Sequence, residues 1–161
     1  ALGFDQTKKT IFILGGSQGS EFLNNFIQTM PISLLQMFNI IHQTGSAHID
    51  QCKEFYKKHH IVHFVFDYQD NLAPFYVATD LVICRAGAGT LFETLFFKKQ
   101  CLVIPLETAL TDHQLDNAQA FAKEHSELFS FLRQKDLVKD PDRFIKALKK
   151  QVANLTVNEK N

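Results

Sequence analysis

The chain has 161 residues, 45% of them hydrophobic and 21% charged, which suffices for one globular domain with its own core. Its 17 basic residues balance 17 acidic ones, so no broad positive field exists, which argues against a dedicated nucleic-acid binder. Three cysteines, Cys52, Cys84 and Cys101, without a CxxC pair, argue against a disulfide framework or a structural zinc site and fit a reducing cytoplasm.

Strand and helix patterns alternate along the chain. Residues 10–14 (TIFIL) form a short β-branched run that ends at Gly15-Gly16, and are predicted as a buried strand. A helix follows over 20–30, with Phe22, Leu23, Phe26 and Ile27 on one face. Pro31 breaks it before a further helical turn through Met37. Residues 39–42 read as the second strand, 47–59 as a helix and 61–66 as the third strand. A short helix over 71–78 has Pro74 in its first turn. The fourth strand is 80–84 (DLVIC), followed by a glycine-rich turn and a helix over 90–97. Residues 101–105 (CLVIP) give the fifth strand, 112–124 a helix and 128–132 a sixth strand. An amphipathic helix over 141–155 closes the chain, opened by Asp140 and Pro141, and a frayed tail is expected from Thr156. Sixteen Phe and no Trp mean that the aromatic mass of the core must come mainly from Phe.

This alternation predicts an α/β fold: a Rossmann-like, doubly wound parallel sheet of about six strands in a single domain over 1–161. Ligands on such sheets bind outside the carboxyl ends of the strands, so the loops after strands hold the candidate residues. No stretch is apolar enough to span a bilayer, and no basic segment precedes an apolar run at the start. The chain opens on Ala1 rather than Met, and is expected to be part of something longer.

Three loops carry chemistry. The first is Gly15-Gly16-Ser17-Gln18-Gly19, after the first strand. Glycines permit a tight turn and let a phosphate approach backbone N–H groups at a helix start, although a plain turn has the same composition. It lacks the Lys-Ser or Lys-Thr of a Walker loop and the full GxGxxG spacing. A dinucleotide site also calls for an acidic residue at the end of the second strand, where His42-Gln43-Thr44 stands instead. The second loop is Arg85-Ala86-Gly87-Ala88-Gly89-Thr90, whose N–H groups at residues 88–90 can hold a diphosphate without a metal. Glu93 lies one helical turn on. A carboxylate there can accept two hydrogen bonds from a ribose diol, or it can close a capping box with Thr90. The third is Thr111-Asp112-His113-Gln114-Leu115-Asp116-Asn117, where helical spacing brings His113, Gln114 and Asn117 together. Side-chain amides suit sugar hydroxyls; a solvated first turn needs the same residues. His59, His60 and His63 straddle a helix end and a strand start, so a metal site is not predicted there.

In combination GGSQG, RAG-x-x-T-x-x-E and HQ-x-x-NA, with the Phe66-Asp67-Tyr68-Gln69-Asp70 segment, resemble the MurG family of GT-B glycosyltransferases, over most of the chain to about Glu124. The resemblance implies that the chain is the C-terminal, donor-binding half of an inverting enzyme. That enzyme would move N-acetylglucosamine from UDP to undecaprenyl-linked lipid I, giving lipid II for peptidoglycan. It implies Ser17 near the phosphates, with Gly16, Gln18 and Gly19 in the same turn. Backbone at Tyr68 and Gln69 would pair with uracil. Gly87, Ala88, Gly89 and Thr90 would form the phosphate turn, and Glu93 would take the ribose. His113 and Gln114 would read the sugar hydroxyls, with Asn117 a nearby polar contact; Arg85 fits the motif with either a binding or a structural role. No catalytic residue, metal or cofactor is implied within the chain. The acceptor-activating base and the surface that meets the membrane would belong to an N-terminal domain, at the cytoplasmic face of the bacterial inner membrane. Gly89 also resembles the N-acetylglucosaminyltransferase subunits of the dolichol pathway, which implies the alternative of a UDP-sugar-binding subunit completed by a separate membrane partner.

Overall fold

In a computed structural model of the chain, residues 2–16, 18–108 and 113–158 are described, with backbone alone at 156–158. Short apolar runs set the strands, which form a six-stranded sheet in the order β3-β2-β1-β4-β5-β6. The chain divides into two compact units, residues 1–80 and 81–161.

The first unit holds β1 (Lys9–Leu14), α1 (Glu21–Gln28), α2 (Ile32–Leu35), β2 (Phe38–Gln43), α3 (Ile49–Lys58), β3 (His63–Phe66) and α4 (Ala73–Val77). β1 pairs with β2 in parallel from Lys9↔Phe38 to Leu14↔Gln43, and β2 with β3 from Ile40↔His63 to Gln43↔Phe66. Every residue of β2 is buried, including Asn39, His42 and Gln43. Phe supplies the aromatic packing, as its abundance predicts: Phe12 meets Tyr76 edge-on at 5.4 Å, and Phe66 stacks on Phe75 at 4.7 Å. Burying each such side chain contributes about 1.5–3 kcal/mol. Ser20 opens α1, its hydroxyl accepting from Leu23 N–H at 3.2 Å.

The second unit holds β4 (Leu81–Cys84), α5 (Ala88–Phe96), β5 (Gln100–Val103), α6 (His113–Glu124), β6 (Phe129–Phe131), α7 (Gln134–Lys139) and α8 (Asp142–Asn158). β4 pairs with β5 in parallel from Leu81↔Gln100 to Cys84↔Val103, and β5 with β6 from Cys101↔Phe129 to Val103↔Phe131. Leu91, Leu102, Leu137, Phe144 and Leu148 belong to its core. Cys84 and Cys101 are buried there with their sulfurs 3.5 Å apart, free thiols acting as small apolar residues.

The α/β class, the parallel sheet and the strand number agree with the sequence expectation. Most element bounds shift by one to three residues, and three differences matter for the description. α5 begins at Ala88 rather than at residue 90, α7 was not anticipated, and α8 continues to Asn158 beyond the expected frayed end at Thr156. Among the described residues no helix is long and apolar enough to cross a membrane.

Candidate functional site

In the first unit the loop after β1 closes against the loop after β2. Gly19 has φ +77°, and a Cβ on it would fall 2.1 Å from the Thr44 carbonyl oxygen, so only glycine fits. Gly16 also has positive φ, +95°, but nothing lies within 4 Å of where its Cβ would be. Gly16 and Gln18 therefore line an open side of the turn, Gln18 being exposed. Ser17, singled out in the sequence, lies outside the described residues. The β2 loop in turn holds the β3 loop: Thr44 N–H donates to Phe66 O at 3.0 Å, and Gly45 N–H to Asp67 O at 3.2 Å. Tyr68 and Gln69 follow at the same carboxyl edge, both exposed. Tyr68 N–H is fixed by the Asp67 carboxylate at 2.7 Å.

Beneath these loops runs a buried polar chain that local sequence pattern did not reveal. Asn24 Nδ2 donates to Thr44 O at 3.0 Å, so its Oδ1 faces His42 Nε2 at 2.9 Å. An oxygen acceptor requires a proton on Nε2, which leaves His42 Nδ1 to accept from the Tyr56 hydroxyl at 2.8 Å. One neutral tautomer thus satisfies every group. Burial pushes the His42 pKa down to about 3. The strand end that a dinucleotide enzyme would give to an acidic residue instead supports the loops from below.

In the second unit β4 delivers Arg85 and Ala86 directly to the start of α5. Gly87 occupies the N-cap position in extended conformation, without a side-chain cap. Among the described residues the N–H groups of Gly87, Ala88, Gly89 and Thr90 have no hydrogen-bond partner; the first helical bond is Leu91 N–H to Gly87 O at 3.1 Å. Among the described residues nothing lies within 4 Å of a Cβ placed on Gly87 or Gly89. Neither glycine has φ in the left-handed range, so the fold itself does not demand either one. An open space over unpaired donors and the positive end of a helix dipole is what an approaching phosphate requires.

Thr90 is the third residue of α5 and so cannot be its cap. The Thr90–Glu93 spacing is not a capping box. The Glu93 side chain is exposed one turn beyond Gly89 and, among the described residues, makes no hydrogen bond or ion pair. Arg85 is turned the other way. It is 7% exposed, and Nη1 donates to Ile104 O at 3.2 Å and Pro105 O at 3.5 Å. Burial lowers its pKa to about 10, still charged at neutral pH, and the side chain clamps the end of β5.

The first turn of α6 closes onto the same loop. Gln114 Oε1 accepts from Ala86 N–H at 3.1 Å and from Leu106 N–H at 2.9 Å, joining the ends of β4 and β5. Asn117 Nδ2 donates to Ala86 O at 3.0 Å. Gln114 Nε2 has no partner among the described residues, and His113 is exposed beside it. Beyond β5, Glu107 is gripped by Arg133 in a bidentate pair, at 2.9 and 3.2 Å from Nε, with Nη2 as a further donor.

His63 Nδ1 bonds Ile61 O at 2.8 Å and His59 packs on Phe55, so the histidine-rich segment is committed to local structure. Among the described residues no cluster of His, Cys, Asp or Glu is arranged to hold a metal ion. A cavity of about 790 Å³ lies at the opposite, amino end of β1, lined by the lead-in segment, Asn39, Phe75 and Asp80. Two of its polar side chains are committed to the backbone: Asp80 to Thr10 N–H at 2.8 Å, and Asn39 to Asp5 N–H at 3.0 Å. The carboxyl-edge loops, with their unpaired donors, are the better candidate.

Comparison with known proteins gives a consistent result. Over 154 residues the chain is 35% identical to the UDP-N-acetylglucosamine–N-acetylmuramyl-(pentapeptide) pyrophosphoryl-undecaprenol N-acetylglucosamine transferase of Aquifex aeolicus. The alignment covers 95% of this chain and 42% of that protein. The protein of the same name from Trichlorobacter lovleyi is 37% identical over 124 residues, 74% of this chain and 32% of the relative. The crystal structure of Acinetobacter baumannii MurG superposes with a TM-score of 0.73 at 25% identity, over 95% of this chain and 47% of that one. The chain therefore spans less than half the length of these relatives. Residues 10–161 match the glycosyltransferase family 28 C-terminal domain, and the chain belongs to that family.

Proposed function

We propose that this chain is the donor-binding part of an inverting glycosyltransferase that transfers N-acetylglucosamine from UDP to undecaprenyl-linked lipid I, forming lipid II. Relatives at 35–37% identity are named as N-acetylglucosamine transferases of UDP-N-acetylglucosamine and N-acetylmuramyl-(pentapeptide) pyrophosphoryl-undecaprenol. The observation that carries the reading is the start of α5: unpaired N–H groups from Gly87 to Thr90 beneath a space left open by two glycines, with the exposed Glu93 carboxylate one turn on. The diphosphate lies on those N–H groups, and Glu93 accepts both ribose hydroxyls. His113 and the free Nε2 group of Gln114 read the sugar, and the backbone of Tyr68 and Gln69 meets the uracil edge. Gly16, Gln18 and Gly19 belong to the phosphate-side turn of the first unit. As the sugar–phosphate bond breaks, charge grows on the UDP oxygens, and fixed N–H donors at a helix start stabilise it without reorganising. The acceptor, its activating base and attachment to the cytoplasmic face of the membrane belong to the rest of the longer enzyme.

Calorimetric titration with UDP-N-acetylglucosamine, UDP-glucose and UDP tests this. The wild-type chain should bind all three, the first most tightly. Glu93→Ala should weaken each by about a hundredfold or more, the worth of two hydrogen bonds to a charged group. Unchanged affinity in that variant removes the ribose assignment, and no binding of any ligand by the wild type removes the donor-site reading.

A further inference from the structure

Asn117 and Gln114 together take both sides of Ala86, its N–H and its C=O. Amide orientation is fixed at both positions. Gln114 faces two N–H donors, which only its oxygen can accept, and Asn117 faces a carbonyl, to which only its nitrogen can donate. The Ala86 carbonyl belongs to the same peptide plane as the Gly87 N–H. No cis peptide occurs among the described residues, so that N–H points opposite to the carbonyl, away from Asn117. Gly87 N–H is also the first of the unpaired donors at the start of α5, under open space.

We infer that Asn117 is a positioning residue: by holding the Ala86 carbonyl it aims the Gly87 N–H at the diphosphate, adding a fourth backbone donor to those of residues 88–90. The inference rests on the proposed reading of the α5 start as the diphosphate site. It differs from a direct sugar contact by Asn117, for which only Oδ1 would remain once Nδ2 is committed to Ala86. Without that bond the 86–87 peptide is free to rotate, and the glycine at 87 puts no side chain in its way.

Three ligands separate the possibilities. Uridine has no phosphate, UDP has the diphosphate, and UDP-N-acetylglucosamine has both diphosphate and sugar. In Asn117→Ala and the near-isosteric Asn117→Asp, affinity for UDP and for UDP-N-acetylglucosamine should fall by the same factor, about five- to tenfold, with uridine unchanged. Thermal unfolding of each variant checks that it is folded. A fall confined to UDP-N-acetylglucosamine makes Asn117 a sugar contact and overturns the inference, as does an unchanged affinity for UDP. Backbone amide order parameters from NMR relaxation supply a readout without ligand: the Gly87 N–H order parameter should fall in both variants, and an unchanged value overturns the positioning role. If the wild-type chain binds none of the three ligands, the function reading fails, and the order parameters still judge the grip on the Ala86 carbonyl.

Discussion

At the scale of single residues, the chain places polar groups where a parallel sheet ordinarily has apolar ones and pairs several of them through side chains. His42 is the clearest case, 1% exposed between Asn24 and Tyr56. Its pKa is about 3 in the folded chain and about 6.5 in an unfolded one. Between those values the unfolded state binds a proton that the native state refuses. The contribution to stability is therefore complete above pH 6.5 and falls as the pH drops toward 3, by up to about 1.4 kcal/mol per pH unit. Urea unfolding over a pH series should show this slope in the wild type. His42→Gln should be less stable at pH 7.5 by about 1–3 kcal/mol, since it strands the Tyr56 hydroxyl or the Asn24 amide. Its stability should also depend less steeply on pH between 6.5 and 4. Parallel curves for the two proteins would mean that His42 is not held neutral.

At the scale of elements, glycines of two kinds mark the two strand–helix turns. Gly19 is required by the fold: positive φ and a Cβ 2.1 Å from Thr44 O leave no room for alanine. Gly19→Ala should cost about 3 kcal/mol or more, read as a lowered urea midpoint. Gly89 stands second in α5 with open space around it, so Gly89→Ala should leave stability equal or raise it by about 0.5–1 kcal/mol. The added methyl stands where the diphosphate is proposed to lie, and UDP affinity should fall about tenfold or more. Loss of stability without loss of binding in Gly89→Ala would make that glycine structural. The strands were legible in the sequence because each is a short apolar run ending in turn residues, as in TIFIL before Gly15-Gly16. The start of α5 was placed two residues late because Ala88-Gly89 has the composition of a loop, while the helix depends there on its bond back to Gly87. α7 was not legible because the apolar residues of QKDLVK, Leu137 and Val138, are adjacent and show no helical period, and only Leu137 is buried. The site's candidate side chains were legible as loop motifs, but not their division of labour. Arg85 answers to carbonyls at 104 and 105, and Gln114 to N–H groups at 86 and 106; such partners are set by strand adjacency and not by local pattern.

At the scale of the whole molecule, the chain belongs to a C-terminal domain family and spans 42% of its Aquifex aeolicus relative. On the proposed reading, what its loops offer chemically is mainly stabilisation: backbone donors for a diphosphate, a carboxylate for ribose, amides for a sugar. Transfer to a hydroxyl also needs the acceptor held in line with the anomeric carbon and a base to take its proton. Glu93 is the carboxylate beside the proposed phosphate site, and the ribose would occupy it. His113 would be engaged with sugar hydroxyls. The 161-residue chain should therefore bind UDP-N-acetylglucosamine and yet give no turnover with a lipid I analogue, measured by transfer of radiolabelled sugar at donor concentrations above the calorimetric Kd. Joining it to the N-terminal part of a full-length relative should create activity, and Glu93→Ala should then lower kcat/KM chiefly through KM, because a ribose contact made equally in ground and transition states is uniform binding. Transfer by the isolated chain would mean that a base and an acceptor site lie within it, and His113 would be the first side chain to test.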